Sequence, residues 1–339
     1  MVQLQQQDVF VGLDYHTNSV QVCVVDAGGR VLCNRPVRSG PGAVVDAAER
    51  LGKVRRVAIE SCGGAAEMAQ TLVEMAGWSV DLAHPGYVNR MKQNPDKTDY
   101  SDARMLAELT RVGFLPRVWL APRVIRELRS MVRLRQQHVD HRRAVKLRIR
   151  ALLREYRIRP DRESGSAWTK RWLAWLERAP VSVNVGWILQ DHLAELEHIR
   201  RKIARVEKRL TEMTRDDAMI TRLQTLPGIG QVTSWVLRAE IGRFDRFRSG
   251  KQLSRYCGLS PRNASSGERQ ADAGLIKAGN PLLRATLIEA AHRLAIRDPR
   301  WRELAHGLRA RGKSGSVVAA AIANRWVRAL WSDMMMAEV

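Results

Sequence analysis

The chain has 339 residues, which is enough for two or three domains with buried cores. Its 57 basic and 35 acidic side chains give a net charge of +22 that is spread along the whole chain, so a polyanionic partner is expected, and nucleic acid is favoured over a membrane. The sequence contains neither a bilayer-spanning apolar stretch nor a signal sequence, and its four cysteines and eight histidines lack zinc-ligand spacing, so we expect a soluble cytoplasmic protein without membrane contact.

The first third of the chain has an alternating strand and helix pattern. The β-branched runs VFVGLDYH, SVQVCVVDA and RVLCNRPVRS, with turn glycines at Gly28 and Gly29, predict an antiparallel meander of three strands. A helix (GAVVDAAERLG), a strand (VRRVAIES), a second helix (GAAEMAQTLVEMAG) and a fifth strand (WSVDLAHP) follow. This order is that of a ribonuclease-H-like, RuvC-like α/β domain, which we predict for residues 1–122.

Four carboxylates in this domain are candidate metal ligands. Asp14 and Glu60 lie in or at the end of apolar strands, where an unpaired charge is costly to bury. Asp99 and Asp102 are three residues apart at the start of a predicted helix capped by Thr98, so they share one face. Oxygen ligands suit Mg²⁺, and two such ions about 4 Å apart would activate a nucleophile and stabilise a leaving oxygen at phosphorus. We therefore predict a phosphoryl-transfer site at these acids.

Residues 123–215 are predicted to form a basic helical linker. Its first helical pattern, from Val124 to about Arg159, is rich in arginine, which favours phosphate contacts over a merely solvated face. The nucleic-acid-binding residues predicted here are Arg129, Arg133, Arg142, Arg143, Lys146 and Arg150.

Two apolar patterns follow in the same segment. The spacing of Trp168, Trp172 and Trp175 is typical of helix packing more than of a base-stacking platform. A heptad-like seam then runs through Leu193, Leu196, Ile199, Ile203, Val206, Leu210 and Met213. Such a seam predicts either a helical hairpin or a coiled-coil dimer contact.

Residues 216–339 are predicted to form a mostly helical domain. The segment LPGIG resembles the turn of a helix-hairpin-helix module, in which Gly228 and Gly230 would let backbone amides approach a DNA phosphate; the alternative is a tight turn without a ligand. Between residues 260 and 279 lies a predicted polar loop or short hairpin whose Ser266 is a candidate nucleophile; the alternative, which the residues alone favour, is an ordinary loop serine. The cations Arg262, Arg269 and Lys277 of that loop would stabilise charge on phosphorus.

Taken together, these segments resemble a known family, the DEDD transposases of bridge-RNA-guided insertion sequences, with the related Piv-type DNA invertases. The resemblance rests on GLDYH, IES and KTDYSDARMLAEL, followed by TLPGIG, GLSPRNASSG and IKAGNPLLRATLIEAA. It implies a fold that combines a ribonuclease-H-like domain, a helical coiled-coil linker and a helical transposase domain.

The resemblance also implies the chemistry. The family's four catalytic acids match Asp14, Glu60, Asp99 and Asp102, and its essential serine matches Ser266, which, unlike Ser265, directly precedes the glycine. The implied reaction is cleavage and exchange of DNA strands by an Mg²⁺ site of one subunit and a serine of another, in a homodimer or homotetramer. The implied partners are donor and target DNA and a noncoding guide RNA that pairs with both.

Three other interpretations compete with this one. A Holliday-junction-type endonuclease would use the same acids without the serine loop. A sugar-kinase or actin-like ATPase needs glycine-rich phosphate loops, of which GLDYHTNSV offers little. A basic architectural protein that binds nucleic acid would explain the charge, but not acids at the ends of buried strands.

Overall fold

The computed structural model describes residues 7–91, 98–263, 272–276 and 279–336. The chain divides into two compact units, Met1–Pro122 and Arg123–Val339.

A six-stranded mixed sheet forms the first unit, with strand order β3-β2-β1-β4-β5-β6. Strands β1, β2 and β3 form the predicted antiparallel meander, β4 and β5 run parallel to β1, and β6 is antiparallel to β5. The strands are β1 Asp8–Tyr15, β2 Ser19–Asp26, β3 Val31–Arg38, β4 Lys53–Glu60, β5 Val80–Ala83 and β6 Arg117–Val118, and the helices are α1 Pro41–Glu49, α2 Ala65–Ala76, α3 Pro85–Met91 and α4 Asp99–Arg111. This arrangement is compatible with a ribonuclease-H-like fold. Sequence reasoning did not predict α3 or β6.

Helices cover both faces of this sheet. On one face, the side chains of Val9, Val11 and Leu13 pack into a core with α1 and α2. On the other face, α4 lies across β1, β2 and β4. Because side chains alternate along a strand, Gly12 and Asp14 belong to the α4 face.

The second unit is mostly helical. Its elements are α5 Arg123–Glu155, a 3₁₀ turn Arg162–Ser164, α6 Lys170–Leu176, α7 Val183–Met213, α8 Ala218–Thr225, α9 Gln231–Ile241, α10 Gly250–Tyr256, the strand pair β7 Pro261–Asn263 and β8 Asp272–Leu275, α11 Pro281–Arg297, α12 Pro299–Ala310 and α13 Gly315–Met335. One core lies among the far end of α5, α6 and α7, and a larger core is formed by α8–α13 with the near end of α5 and the last turns of α7. The division into a linker and a transposase domain at residue 215 stays a prediction.

Helices α5 and α7 pack against each other as an antiparallel pair. Arg135 binds Glu207 near one end, and His141 binds Glu195 further along. The seam residues Ile199, Ile203, Val206 and Leu210 are buried. The predicted seam on α7 therefore packs against α5 of the same chain, as in the helical-hairpin interpretation. A coiled-coil contact between subunits stays a prediction.

The three tryptophans Trp168, Trp172 and Trp175 do not all lie in one helix. Trp172 is 3% exposed and packs in the core, as the packing interpretation predicts. Trp168, however, precedes α6 and adopts a positive φ of 74°, so one continuous helix through all three tryptophans is wrong. Its ring instead contacts that of Trp172, with centroids 4.6 Å apart.

Candidate functional site

Two of the predicted acids stand at the ends of neighbouring parallel strands. Leu13 of β1 is paired in register with Ile59 of β4, so Asp14 and Glu60 are the next residues at the same edge of the sheet. Leu13 and Ile59 both point into the core under α1 and α2. By alternation, Asp14 and Glu60 therefore both belong to the face that α4 covers.

The first turn of α4 supplies the other two acids. Thr98 caps this helix as predicted: its hydroxyl accepts the Ser101 backbone N–H at 3.1 Å, and the Ser101 hydroxyl accepts the Thr98 N–H at 3.4 Å. The cap fixes Asp99 and Asp102 in the first turn, where unpaired backbone N–H groups favour negative charge. Asp102 is only 6% exposed and so faces the sheet.

Gly12 allows the backbone of α4 to lie close to strand β1. A Cβ atom at Gly12 would lie less than 3.0 Å from the carbonyl oxygen of Ala103 and from the backbone nitrogen of Ala107, and 3.1 Å from the Ala107 Cα. Backbone of the helix thus rests directly on backbone of β1. This close packing brings the first turn of α4 to the end of the strand that carries Asp14.

His16, which sequence reasoning did not include, joins these acids. Its Nε2 lies 3.4 Å from Oδ2 of Asp14 and 3.3 Å from Oδ1 of Asp99. Asp14, His16 and Asp99 each offer a ligand atom within 4.8 Å of the others. The signal in the sequence was the two-residue step from Asp14, which places both side chains on one side of an extended chain.

The charges of the neighbouring acids change the pKa values of groups in this cluster. Burial raises the pKa of Asp14; the nearby His16 opposes this rise, and the carboxylates of Asp99 and Asp102 add to it. Burial likewise raises the pKa of the Cys62 thiol, and the charges of Glu60 and Asp14 raise it further. Asp14 thus interacts with the two acids of α4, and Asp14 and Glu60 both act on the Cys62 thiol. A divalent cation would relieve the repulsion among Asp14, Asp99 and Asp102.

The residues present fit such a cation. Carboxylate oxygens are the ligands that hard divalent ions take, and three of the four carboxylates, Asp14, Asp99 and Asp102, are close enough for their charges to interact. The side chain of Asp14 is 16% exposed and that of Asp99 is 56% exposed, so the cluster is accessible to solvent at Asp99.

Two of the arginines predicted to bind nucleic acid make contacts within the second unit. Arg133 donates to both carboxylate oxygens of Glu240, at 2.9 and 3.1 Å, and Arg129 donates to the Ala239 carbonyl at 3.1 Å and lies 3.4 Å from Glu240. Glu240 is 2% exposed. These two arginines therefore anchor α5 to α9, and a phosphate contact by either one stays a prediction.

The other predicted nucleic-acid-binding residues of α5 differ in exposure. Arg143 and Arg150 are exposed, and Arg142 is half-buried. Lys146 and Arg150 both stand over the ring of Trp168, at 4.6 and 5.7 Å from its centroid. Burial lowers the pKa of Lys146, and the positive charges of Arg142 and Arg150 lower it further.

The predicted glycine turn and serine loop are described only in part. Gly228, with a φ of +84°, lies in the turn between α8 and α9, and Gly230 caps α9. Arg262 is exposed on β7. The predictions for Ser266, its neighbour Ser265, Arg269 and Lys277 lie outside the described residues.

Comparisons with known proteins agree with this architecture. A family model described as a transposase, for the DEDD domain of IS110 elements, matches residues 11–158, and the model of the transposase IS116/IS110/IS902 family matches residues 220–306. A probable family 20 transposase of Pseudomonas aeruginosa is 33% identical over 331 residues, which cover 95% of each chain. The chain is an IS110-family transposase.

Two transposases of named insertion elements are also similar. That of IS1111A from Coxiella burnetii is 28% identical over 84% of this chain and 77% of its own length. That of IS1328 from Yersinia enterocolitica is 30% identical over 81% and 82%. The DEDD transposase family and the enzyme class predicted from the sequence are thus confirmed, whereas the bridge RNA and the relation to Piv-type invertases stay predictions. A DEDD transposase acts on DNA and uses divalent metal, and the acidic cluster is where the structure offers ligands for it.

A membrane-crossing segment is not found among the helices of the described ranges, none of which is both long and apolar enough.

Proposed function

We propose that this transposase cleaves and exchanges DNA strands by Mg²⁺-dependent phosphoryl transfer, with Asp14, Glu60, Asp99 and Asp102 as the metal ligands. The observation that carries the proposal is the proximity of Asp14 to Asp99 and Asp102 in the first turn of α4, with Glu60 at the end of the neighbouring parallel strand. Mg²⁺, most simply as two ions, would supply Lewis-acid stabilisation of charge at phosphorus. His16 would orient Asp14 and Asp99 through its contacts with both.

Ser266 is the proposed nucleophile. Its Oγ would bond to phosphorus as one P–O bond of the DNA backbone breaks; the serine proton passes to water, and the released oxygen takes up a proton. A DNA hydroxyl then attacks the phosphoserine, so strand joining restores the serine and conserves the phosphodiester bond. By family resemblance, the serine of one subunit serves the acids of another, within a dimer or tetramer.

The acids are tested by changing Asp99 to Asn. We expect Mg²⁺-dependent cleavage of a DNA substrate to be lost, while DNA affinity measured in EDTA changes little, because basic residues supply the affinity. The control is Asp216→Asn, an exposed acid far along the chain in the second unit. Equal loss of binding and of cleavage in Asp99→Asn would count against the metal site.

The serine is tested by trapping. Wild-type protein incubated with a nicked substrate should yield a protein–DNA adduct that survives denaturing gel electrophoresis, and Ser266→Ala should not. Ser265→Ala is the matched control and should still form the adduct. An adduct in Ser266→Ala would refute the nucleophile, and strand cleavage without any joining would instead favour a Holliday-junction-type endonuclease.

A guide RNA is the proposed source of target choice. Supporting it are the family and the net charge of +22, which suits a second polyanion beside DNA. Sequencing of RNA that copurifies with the protein should find discrete species with complementarity to DNA ends. A random mixture of cellular RNA would contradict the guided mechanism.

A further inference from the structure

An apolar cavity of about 570 Å³ lies between α13 and the base of the β7–β8 strand pair. Leu259, Pro261 and Leu275 form one wall, and Val317 and Ala321 of α13 form the other. This volume is within the range of small-molecule sites, about 300–1,000 Å³, and the lining is mostly apolar as in such sites. All its lining residues belong to the second unit, whereas the acidic cluster belongs to the first.

Three cations stand at the mouth of this cavity. Lys251, Arg325 and Arg328 are exposed, and they line both the apolar cavity and an adjoining groove of about 760 Å³. Arg325 donates to the Ala321 carbonyl one turn earlier on α13, at 3.2 Å, which holds its guanidinium beside the opening. Among the described residues, no acidic side chain lines either space. The surroundings therefore favour an anionic group next to an apolar one.

One polar group faces the apolar space with a fixed orientation. The side-chain nitrogen of Asn324 donates to the Ser254 hydroxyl at 2.8 Å and to the Leu259 carbonyl at 3.1 Å. Both amide hydrogens are thereby engaged within the protein, so Asn324 meets a ligand through its carbonyl oxygen, an acceptor. A ligand that offers an N–H group inside this cavity would satisfy that acceptor.

We propose that this cavity receives the base of one unpaired nucleotide, with the flanking phosphates against Lys251, Arg325 and Arg328. A nucleobase has apolar faces and an edge of N–H donors, and its phosphates lie on one side, which matches the apolar walls, the Asn324 acceptor and the row of cations. A base stacked in duplex cannot enter. The proposal rests on the proposed function, since strand exchange exposes unpaired nucleotides, and it adds which form of nucleic acid the second unit binds.

The test fills the cavity. Binding of a fluorescent 12-nucleotide single strand and of the matching duplex is measured by anisotropy in EDTA, so no cleavage step enters the result. Ala321→Trp should weaken single-strand binding about fivefold or more, the usual effect of losing one base contact, and leave duplex binding nearly unchanged. Ala310→Trp, at an exposed position on α12, is the matched control and should weaken neither. Arg325→Gln should weaken both forms and reduce the salt dependence by about one phosphate contact.

A second measurement uses the wild-type protein, in case Ala321→Trp does not fold. A single strand that contains 4-thiothymidine is photo-cross-linked to the full chain, and the modified peptides are identified by mass spectrometry. Cross-links within residues 317–324 support the cavity. Cross-links confined to other segments, or equal loss of single-strand and duplex binding in Ala321→Trp, would overturn the proposal. Because the acids are not involved, either result is independent of the Asp99→Asn experiment.

Discussion

Replacing Gly12 by alanine should disable the site without touching any of its ligands. The new Cβ would approach two backbone atoms of α4 to less than 3.0 Å, whereas ordinary contact begins near 3.4 Å. Since backbone cannot rotate away as a side chain can, α4 as a whole has to move outward. A displacement on the order of 1 Å at its first turn would carry Asp99 and Asp102 out of register with Asp14, and errors of this size cost about 100-fold in rate.

The assay compares three properties of Gly12→Ala with those of the wild type. Metal-dependent DNA cleavage should fall about 100-fold, DNA affinity in EDTA should change little, and the free energy of unfolding should fall by about 1–3 kcal/mol, the usual cost of overpacking. Gly42→Ala is the control, because a Cβ there meets nothing within 4 Å and the position lies in helix α1, where alanine is favourable. A folded Gly12→Ala protein that cleaves at the wild-type rate would refute this account of the site.

Three further predictions concern the second unit. Gly228→Ala should destabilise it by about 1–3 kcal/mol in urea unfolding, since the position has a positive φ and a Cβ would lie 2.8 Å from Leu294; an unchanged midpoint would contradict this. Glu240→Ala should cost about 2–3 kcal/mol in the same assay, because its charged hydrogen bonds to Arg133 and its ion pair with Arg129 are lost. Arg143→Gln should lower the slope of log affinity for duplex DNA against log salt by about one, and Arg133→Gln should not, because Arg133 already binds Glu240.

The strands of the first unit were predictable because their signal is local. Alternating apolar residues and turn glycines gave the meander, β4 and β5, and the Thr98 cap gave the start of α4. The short elements α3 and β6 were missed, since a seven-residue helix around Gly86 and a two-residue strand have no periodicity of their own. They are defined by tertiary contacts.

The same contrast holds for the functional residues. The juxtaposition of Asp14 with Asp99 followed from sequence because each acid has a recognisable position at a strand end or helix start. The pairing of Arg129 and Arg133 with Glu240 could not be foreseen, because the partners are more than 100 residues apart and an arginine on a basic helix looks the same whether it meets a phosphate or a buried carboxylate. His16 lies two residues after Asp14, but a single histidine in a sequence does not indicate a site, because its contact with Asp99 is visible only in the folded structure.

The position of α4 also makes the proposed metal site depend on a completed sheet. This helix packs on both β1 and β4, so it can settle only after those strands have paired. A nascent or partly unfolded chain keeps its carboxylates apart and has nowhere to capture a cation.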